Sequence, residues 1–174
     1  MGRVHLGKRI NMKSEIAIWA RKLGEKLQAH DIMVATAESC TGGGVAYAIT
    51  EISGSSAWFD RGFVTYTNQA KQQMLGVPSE LIRAHGAVSA EVVTAMAAGA
   101  LAHSNAQLSV AISGIAGPLG GTPEKPVGTV WMGWARSGSE EPIRTHCFEF
   151  AGDRHQVREQ AIVMALQGMC EFIQ

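Results

Sequence analysis

The chain has 174 residues, of which 46% are hydrophobic and 17% are charged, and its 15 basic residues balance 15 acidic ones. This composition suits one globular domain with a sizeable core and disfavours intrinsic disorder, which combines low hydrophobicity with high net charge. The zero net charge also disfavours a general nucleic-acid-binding protein, because such proteins usually carry a basic excess.

The cysteines and apolar runs narrow the class of protein further. Three cysteines with no CxxC pair disfavour a disulfide framework or a zinc ribbon, and they favour a reducing cytoplasm. The uncharged segment 92–123 is interrupted by Ser104-Asn105 and Gly117-Pro118, so neither part reaches the roughly 20 apolar residues of a membrane span. His85 and His103 have no partner at metal-ligand spacing, so we expect no metal.

The pattern of apolar and turn residues predicts alternating helices and strands. We expect residues 1–13 to form an N-terminal extension and residues 14–174 to form a single domain. The predicted strands cover residues 32–37, 62–67, 108–115, 128–135 and 144–150. The predicted helices follow a cap at Ser14, cover residues 45–49 and 68–75, and follow further caps at Ser89 and Asp153. Pro78 and Gly86 bound a short connection. This order predicts a three-layer α/β/α sandwich with a mixed, mostly parallel sheet.

A glycine-rich turn, residues 39–44, joins the first predicted strand to the next helix. Its glycines allow close approach of a ligand, and N–H groups that open a helix favour an anion. The turn is neither a P-loop nor a GxGxxG motif, and Ser39 or Thr41 would also serve as an ordinary helix cap. Anion binding and a simple capped turn therefore both remain open. Cys40 invites a thiol-nucleophile hypothesis, although a lone cysteine is more often a small buried hydrophobe.

A second segment carries Ser55 and Ser56, with Tyr66 and Lys71 downstream. A serine needs a base to become a nucleophile, a buried lysine with a lowered pKa can be that base, and a tyrosine can relay the proton. Spacing alone does not show that these side chains converge. A helix cap, a strand aromatic residue and a solvated lysine are the structural alternatives.

Two further turns follow predicted strands or lead into them. Residues 113–118 lie at the carboxyl end of a buried strand, where open α/β sheets place their ligands, and residues 125–129 enter the next strand. Each is also ordinary turn sequence. Trp131 and Trp134 are expected on opposite faces of one strand, as packing residues.

Five segments, taken in order, resemble the CinA C-terminal domain family, and most closely its stand-alone nicotinamide-nucleotide amidases of the PncC type. The segments are AESCTGG (37–43), GSSAWFDRGFVTYTNQAK (54–71), HGAVS (85–89), SGIAGP (113–118) and KPVGTV (125–130). The resemblance runs from Ser14 to the C-terminus. It implies an α/β/α fold, a homodimer or dimer of dimers, and no metal or organic cofactor. The implied reaction is deamidation of nicotinamide mononucleotide to nicotinate mononucleotide and ammonia, in pyridine nucleotide salvage.

The resemblance also implies roles for individual residues. The family's catalytic serine, tyrosine and lysine fall on Ser56, Tyr66 and Lys71. The implied substrate-binding residues are Ser39, Thr41, Gly42, Gly43, Ser113, Gly114 and Arg154. Leu119 departs from the Asp or Gly that relatives often carry, so the shape of this loop is not fixed by the resemblance.

The resulting hypothesis is an acyl-transfer mechanism. Ser56 attacks the carboxamide carbon, Lys71 accepts its proton directly or through Tyr66, and water resolves the acyl-enzyme. Ser39 is the alternative nucleophile that the sequence leaves open. We expect the substrate phosphate at the Gly42–Gly44 turn and at Arg154. The alternative is a non-catalytic nucleotide-binding module associated with competence or DNA damage. That alternative is less favoured, because binding alone does not need a complete Ser-Tyr-Lys set.

The alanine-rich helix 90–102 suggests self-association. We expect its face with Val93, Met96, Ala97, Ala100 and Leu101 to cover the sheet. The opposite face, with Ala95, Ala98, Gly99 and Ala102, would then remain as an apolar patch for a second copy. The alternative is that the helix only covers its own subunit.

Overall fold

The computed structural model describes residues 11–173. Its α-helices are α1 (Met12–Ala29), α2 (Gly44–Thr50), α3 (Asn68–Leu75), α4 (Ser79–His85), α5 (Ala90–Ala102) and α6 (Arg154–Phe172). Its strands are β1 (Val34–Glu38), β2 (Phe59–Val64), β3 (Leu108–Gly114), β4 (Thr129–Arg136) and β5 (Arg144–Glu149). A short 3-10 helix covers Ser55–Ala57. Most of the predicted extension, residues 1–10, lies outside the described residues.

The strands form one sheet in the order β2-β1-β3-β4-β5. β1 is parallel to both β2 and β3, whereas β4 is antiparallel to β3 and to β5. Every strand except β4 therefore points in the same direction, and the prediction of a mixed, mostly parallel sheet is confirmed. β1, β2 and β3 end at one edge of the sheet, which we call the carboxyl edge.

Helices cover both faces of the sheet, as the three-layer prediction requires. One hydrophobic cluster joins α1, α2 and α6 to one face, and a second joins α3, α4 and α5 to the other. Alternate residues of β1 supply the two clusters, since Val34 lies in the first and Ala35 and Ala37 lie in the second. Trp134 and Trp131 likewise contact the first and second clusters, so their predicted placement on opposite faces is confirmed.

Polar residues begin several of the helices. The Ser89 side chain accepts from the Val92 N–H, and the predicted cap Asp153 forms a capping box with Gln156. The predicted cap at Ser14 is wrong. α1 begins earlier, because the Asn11 side chain accepts from a backbone N–H of its first turn.

Two other boundaries differ from the prediction. The connection between Pro78 and Gly86 forms α4, whose seven residues are too few to show a clear apolar period. Its buried Ile82 belongs to the second hydrophobic cluster, which joins α3, α4 and α5 to the sheet. β2 begins at Phe59 and ends at Val64, earlier than predicted, so Tyr66 lies beyond the strand.

α5 covers the sheet with the face that was predicted. The opposite face is only partly exposed, because Gly99 is buried against the Leu75 carbonyl at the end of α3. Ala98 and Ala102 remain exposed. The predicted apolar patch is therefore partly covered within the same chain, and self-association stays a prediction. No helix between residues 11 and 173 combines the length and apolar character needed to cross a bilayer.

Candidate active site

Three buried hydroxyl residues lie side by side at the carboxyl edge. β1, β2 and β3 end in register, so Ser39, Thr65 and Ser113 occupy neighbouring positions at or just after the strand ends. The Ser39 N–H donates to the Ile112 carbonyl and the Thr65 N–H donates to the Glu38 carbonyl, which continues the strand pairing past β1 and β2. Open α/β sheets place ligands at this edge.

Lys71 contacts Ser39, the middle residue of this row. Its side chain, on α3, is only 1% exposed, and Nζ lies 3.1 Å from Ser39 Oγ and 2.9 Å from the Thr65 carbonyl oxygen. Burial lowers the pKa of Lys71, because the charged ammonium loses its hydration in this position. A serine and a lysine with a lowered pKa are therefore in hydrogen-bond contact, which is the arrangement that activates a nucleophile.

The glycine-rich turn after β1 holds Ser39 in place. Gly42 (φ +59°) and Gly43 (φ +94°) both adopt left-handed backbone conformations that favour glycine. Arg158 of α6 donates to the carbonyl oxygens of Cys40 (3.1 Å) and Thr41 (3.2 Å). Among residues 11–173 the backbone N–H groups of Cys40 and Thr41 donate to no backbone carbonyl.

The buried carboxylate of Glu38 occupies the N-terminus of α2. It accepts hydrogen bonds from Thr41 Oγ1 (2.6 Å), the Val45 N–H (3.0 Å) and the Ala46 N–H (2.8 Å). Two of the first-turn N–H groups of α2, those of Val45 and Ala46, are thus used by the protein itself. They do not belong to the Gly42–Gly44 turn, so the expectation that this turn holds the substrate phosphate stays a prediction.

Ser56 does not join Lys71 and Tyr66. It is exposed in the 3-10 helix that precedes β2, whereas Ser39 and Lys71 lie beyond the end of that strand. Six residues of β2 separate the two edges, which corresponds to about 17–20 Å of extended chain. The predicted convergence of Ser56, Tyr66 and Lys71 is therefore not found, because Ser56 lies at the opposite edge of the sheet.

Tyr66 and Arg154 contact each other at the carboxyl edge. Arg154, at the start of α6, donates to the Tyr66 hydroxyl (2.8 Å) and to the Gly117 carbonyl (2.7 Å). Tyr66 is 56% exposed, and Leu119 in the neighbouring loop is also exposed. A tyrosine and an arginine from distant parts of the sequence thus line the same accessible edge.

Ser113 and Gly114, two further predicted substrate-binding residues, make structural contacts, and so does Lys125 of the neighbouring loop. Ser113 Oγ donates to the Ala87 carbonyl at 2.7 Å. A side chain at Gly114 would meet a valine methyl of β4 at 2.6 Å, so glycine permits the strand packing there. Lys125 Nζ donates to the carbonyl oxygens of His85 (3.0 Å) and Val88 (2.8 Å). The loop at residues 85–89 and the loop that carries Lys125 are therefore fixed to each other beside the hydroxyl row.

Cys40 is a structural residue at this site. Its side chain is buried, and loss of hydration raises the pKa of the thiol to about 12. A thiol with this pKa stays protonated at neutral pH, so the interpretation as a small buried hydrophobe is favoured over a thiol nucleophile. Among the described residues, no three His, Cys, Asp or Glu side chains are grouped as in a metal site.

Sequence reasoning missed three residues of this site. Glu38 directly precedes Ser39, Thr65 directly precedes Tyr66, and Arg158 lies one helical turn after Arg154. Glu38 is the one with a sequence signal, since an acidic residue before a helix-opening turn is typical of a capping role. The contacts of Thr65 and Arg158 depend on strand and helix packing, and no local pattern reveals them.

Comparison with known proteins gives the family to which this chain is similar. The family described as CinA C-terminal domain matches residues 17–173. A protein of Escherichia coli K12 named nicotinamide-nucleotide amidohydrolase PncC is 54% identical over 92% of this chain and 97% of its own length. A protein of Pseudomonas putida with the same name is 51% identical over 90% of this chain and 96% of its own length.

A solved structure has the same fold. The competence/damage inducible protein CihA of Agrobacterium tumefaciens superposes with a TM-score of 0.89 at 41% identity, covering 99% of this chain and 100% of the other. The predicted resemblance and the predicted fold are confirmed, and the prediction of an amidohydrolase agrees with the names of the sequence relatives. The chain belongs to the CinA C-terminal domain family.

Proposed function

We propose that this chain hydrolyses the carboxamide of nicotinamide mononucleotide to nicotinate mononucleotide and ammonia, in pyridine nucleotide salvage, with Ser39 as the nucleophile. The observation that carries the mechanism is the 3.1 Å contact between Lys71 Nζ and Ser39 Oγ in a buried position at the carboxyl edge. The substrate comes from the names of relatives that are 51% and 54% identical over most of the chain.

Acylation begins with proton transfer from Ser39 to the neutral amine of Lys71. As the proton leaves, Oγ bonds to the carboxamide carbon and forms a tetrahedral intermediate. The Lys71 ammonium then protonates the departing nitrogen, and the carbon–nitrogen bond breaks to release ammonia. Water attacks the resulting ester with Lys71 as base, and nicotinate mononucleotide leaves as Ser39 regains its proton.

The burial of Lys71 suits it to this task. An ordinary lysine is protonated at neutral pH, whereas a lowered pKa increases the fraction of neutral amine that can accept the serine proton. We therefore expect kcat/KM to rise with pH as Lys71 loses its proton, at a lower pH than for an exposed lysine.

Backbone N–H groups next to the nucleophile are suited to hold the oxyanion. The Cys40 and Thr41 N–H groups donate to no backbone carbonyl within residues 11–173, and they follow Ser39 directly in a turn fixed by Arg158. Donors of this kind contribute about 2.7–4 kcal/mol each to transition-state stabilisation in well-studied hydrolases.

In this proposal Tyr66 and Arg154 contact the substrate and take no part in proton transfer. The Tyr66 hydroxyl accepts a hydrogen bond from Arg154 and is largely exposed, so the pair is placed to contact substrate at the mouth of the site. Arg154 is a fixed cation there, and it is our candidate for the substrate phosphate. We expect the mononucleotide to be hydrolysed more efficiently than the riboside. We expect Arg154→Gln to remove that preference, and equal efficiencies in the unmodified protein would contradict this assignment.

Ammonia release from nicotinamide mononucleotide tests the proposal, with Ser39→Ala and Ser56→Ala as matched variants. We expect Ser39→Ala to lower kcat by about 10⁴-fold or more, whereas Ser56→Ala keeps kcat near that of the unmodified protein. Normal turnover by Ser39→Ala would overturn the assignment of the nucleophile. Binding of the mononucleotide without ammonia release by the unmodified chain would instead favour the nucleotide-binding module.

A further inference from the structure

Thr65 carries a buried hydroxyl that the mechanism has not used. The residue is 0% exposed, and Oγ1 has no hydrogen-bond partner among the described residues. The carbonyl of the same residue accepts from Lys71 Nζ at 2.9 Å. A buried hydroxyl without a partner is unfavourable for folding, so this position keeps a polar atom at a cost in stability.

The Thr65 side chain lies on the same side of the sheet as Lys71. Thr65 continues the extended pairing with β1, because its N–H donates to the Glu38 carbonyl at 2.8 Å. Alternate residues of an extended segment share a face, and Phe63 packs against the cluster formed with α3, α4 and α5. Lys71 belongs to α3, so the Thr65 hydroxyl faces the layer that holds the Ser39–Lys71 pair.

The proton transfer proposed above increases the number of hydrogen-bond acceptors that Lys71 Nζ requires. A neutral amine has two N–H groups and a lone pair, whereas the ammonium has three N–H donors. The Thr65 carbonyl serves one donor. Ser39 Oγ is bonded to the substrate carbon in the tetrahedral intermediate, and there it is a weaker acceptor than a serine hydroxyl. The ammonium formed in a buried position therefore lacks acceptors at the moment when it carries charge.

We propose that Thr65 is a positioning residue for Lys71, and that its hydroxyl accepts an N–H of the ammonium formed when Lys71 takes the Ser39 proton. The inference rests on the Ser39–Lys71 pair of the proposed function. When Lys71 is charged, this contact gives the Thr65 hydroxyl a hydrogen-bond partner. The contact also holds Nζ in place while the ammonium passes its proton to the departing nitrogen.

Three variants test this role. Thr65→Val removes the hydroxyl and keeps the shape, Thr65→Ser keeps a hydroxyl, and Thr36→Val is the matched control. Thr36 is also 0% exposed with an unpartnered Oγ1, but its side chain lies on the opposite face of β1 from Ala35 and Ala37. We expect both valine variants to keep or raise the Tm. We expect only Thr65→Val to lower kcat, about tenfold at unchanged KM, whereas Thr65→Ser and Thr36→Val keep it.

A second readout separates this inference from the choice of substrate. Phenylmethylsulfonyl fluoride sulfonylates an activated serine, with the serine proton passing to the base and fluoride leaving. We expect labelling of Ser39 in the unmodified chain, and labelling about tenfold slower in Thr65→Val. Slower labelling of Thr65→Val together with no hydrolysis of the mononucleotide would overturn the substrate and keep the role of Thr65. Unchanged kcat and labelling in Thr65→Val, or no labelling of Ser39 in the unmodified chain, would overturn the role of Thr65.

Discussion

Replacing Glu38 by glutamine tests whether its carboxylate holds the turn that carries Ser39. The buried carboxylate accepts three hydrogen bonds, one from Thr41 Oγ1 and two from backbone N–H groups at the start of α2. The glutamine amide keeps one acceptor oxygen and places an NH₂ group where the second oxygen lies. That NH₂ group would face the Ala46 N–H, so two donors would oppose each other.

The expected loss of stability follows from those contacts. One hydrogen bond to a charged group is lost, at about 1.5–3 kcal/mol, and the Ala46 N–H is left without an acceptor. We expect the free energy of unfolding of Glu38→Gln to fall by about 2–4 kcal/mol in total. At about 2–4 °C per kcal/mol for a chain of this size, the Tm falls by roughly 5–15 °C.

Thermal unfolding followed by circular dichroism measures this effect, with Glu140→Gln as a control at an exposed carboxylate. The control is expected to change the Tm by less than about 2 °C. Ammonia release measured well below the Tm is also expected to fall, because the turn that Glu38 holds carries Ser39. A Tm of Glu38→Gln within about 2 °C of the unmodified protein would refute the reasoning, since a buried three-bond carboxylate would then contribute almost nothing.

Three further predictions concern packing, reactivity and capping. Gly99→Ala is expected to lower the Tm, because the added Cβ overlaps the Leu75 carbonyl. Such overpacking costs about 1–3 kcal/mol, more than the roughly 1 kcal/mol gained in helix propensity. A higher Tm would contradict this. Cys40 is expected to resist iodoacetamide in the folded protein, because a pKa of about 12 leaves about one thiol in ten thousand ionised at pH 8. Peptide mapping that finds Cys40 alkylated as fast as the partly exposed Cys147 would show the opposite. Asp153→Ala removes the capping box of α6 and is expected to cost about 1 kcal/mol, or about 2–4 °C in a calorimetric Tm. An unchanged transition would mean that the cap does not stabilise the helix.

The sequence alone indicated most of the helices and strands and the family. Apolar periodicity and capping residues act over one or two turns of chain, so Ser89 and Asp153 mark the starts of α5 and α6 without tertiary information. The same local signals were too short to reveal α4. They also placed the start of α1 at Ser14, because Asn11 and Ser14 are both good capping residues.

Only the tertiary structure shows which serine contacts Lys71. Ser56 is 15 residues before Lys71 in the sequence, whereas Ser39 is 32 residues away and meets it at 3.1 Å. β1 and β2 are parallel and in register, so residues that follow both strands meet at one edge. Ser56 precedes β2 and lies at the other edge, however close it is in sequence. Strand direction and register are long-range properties of the sheet, which is why motif spacing identified the residue types of the site but not the serine that contacts the lysine.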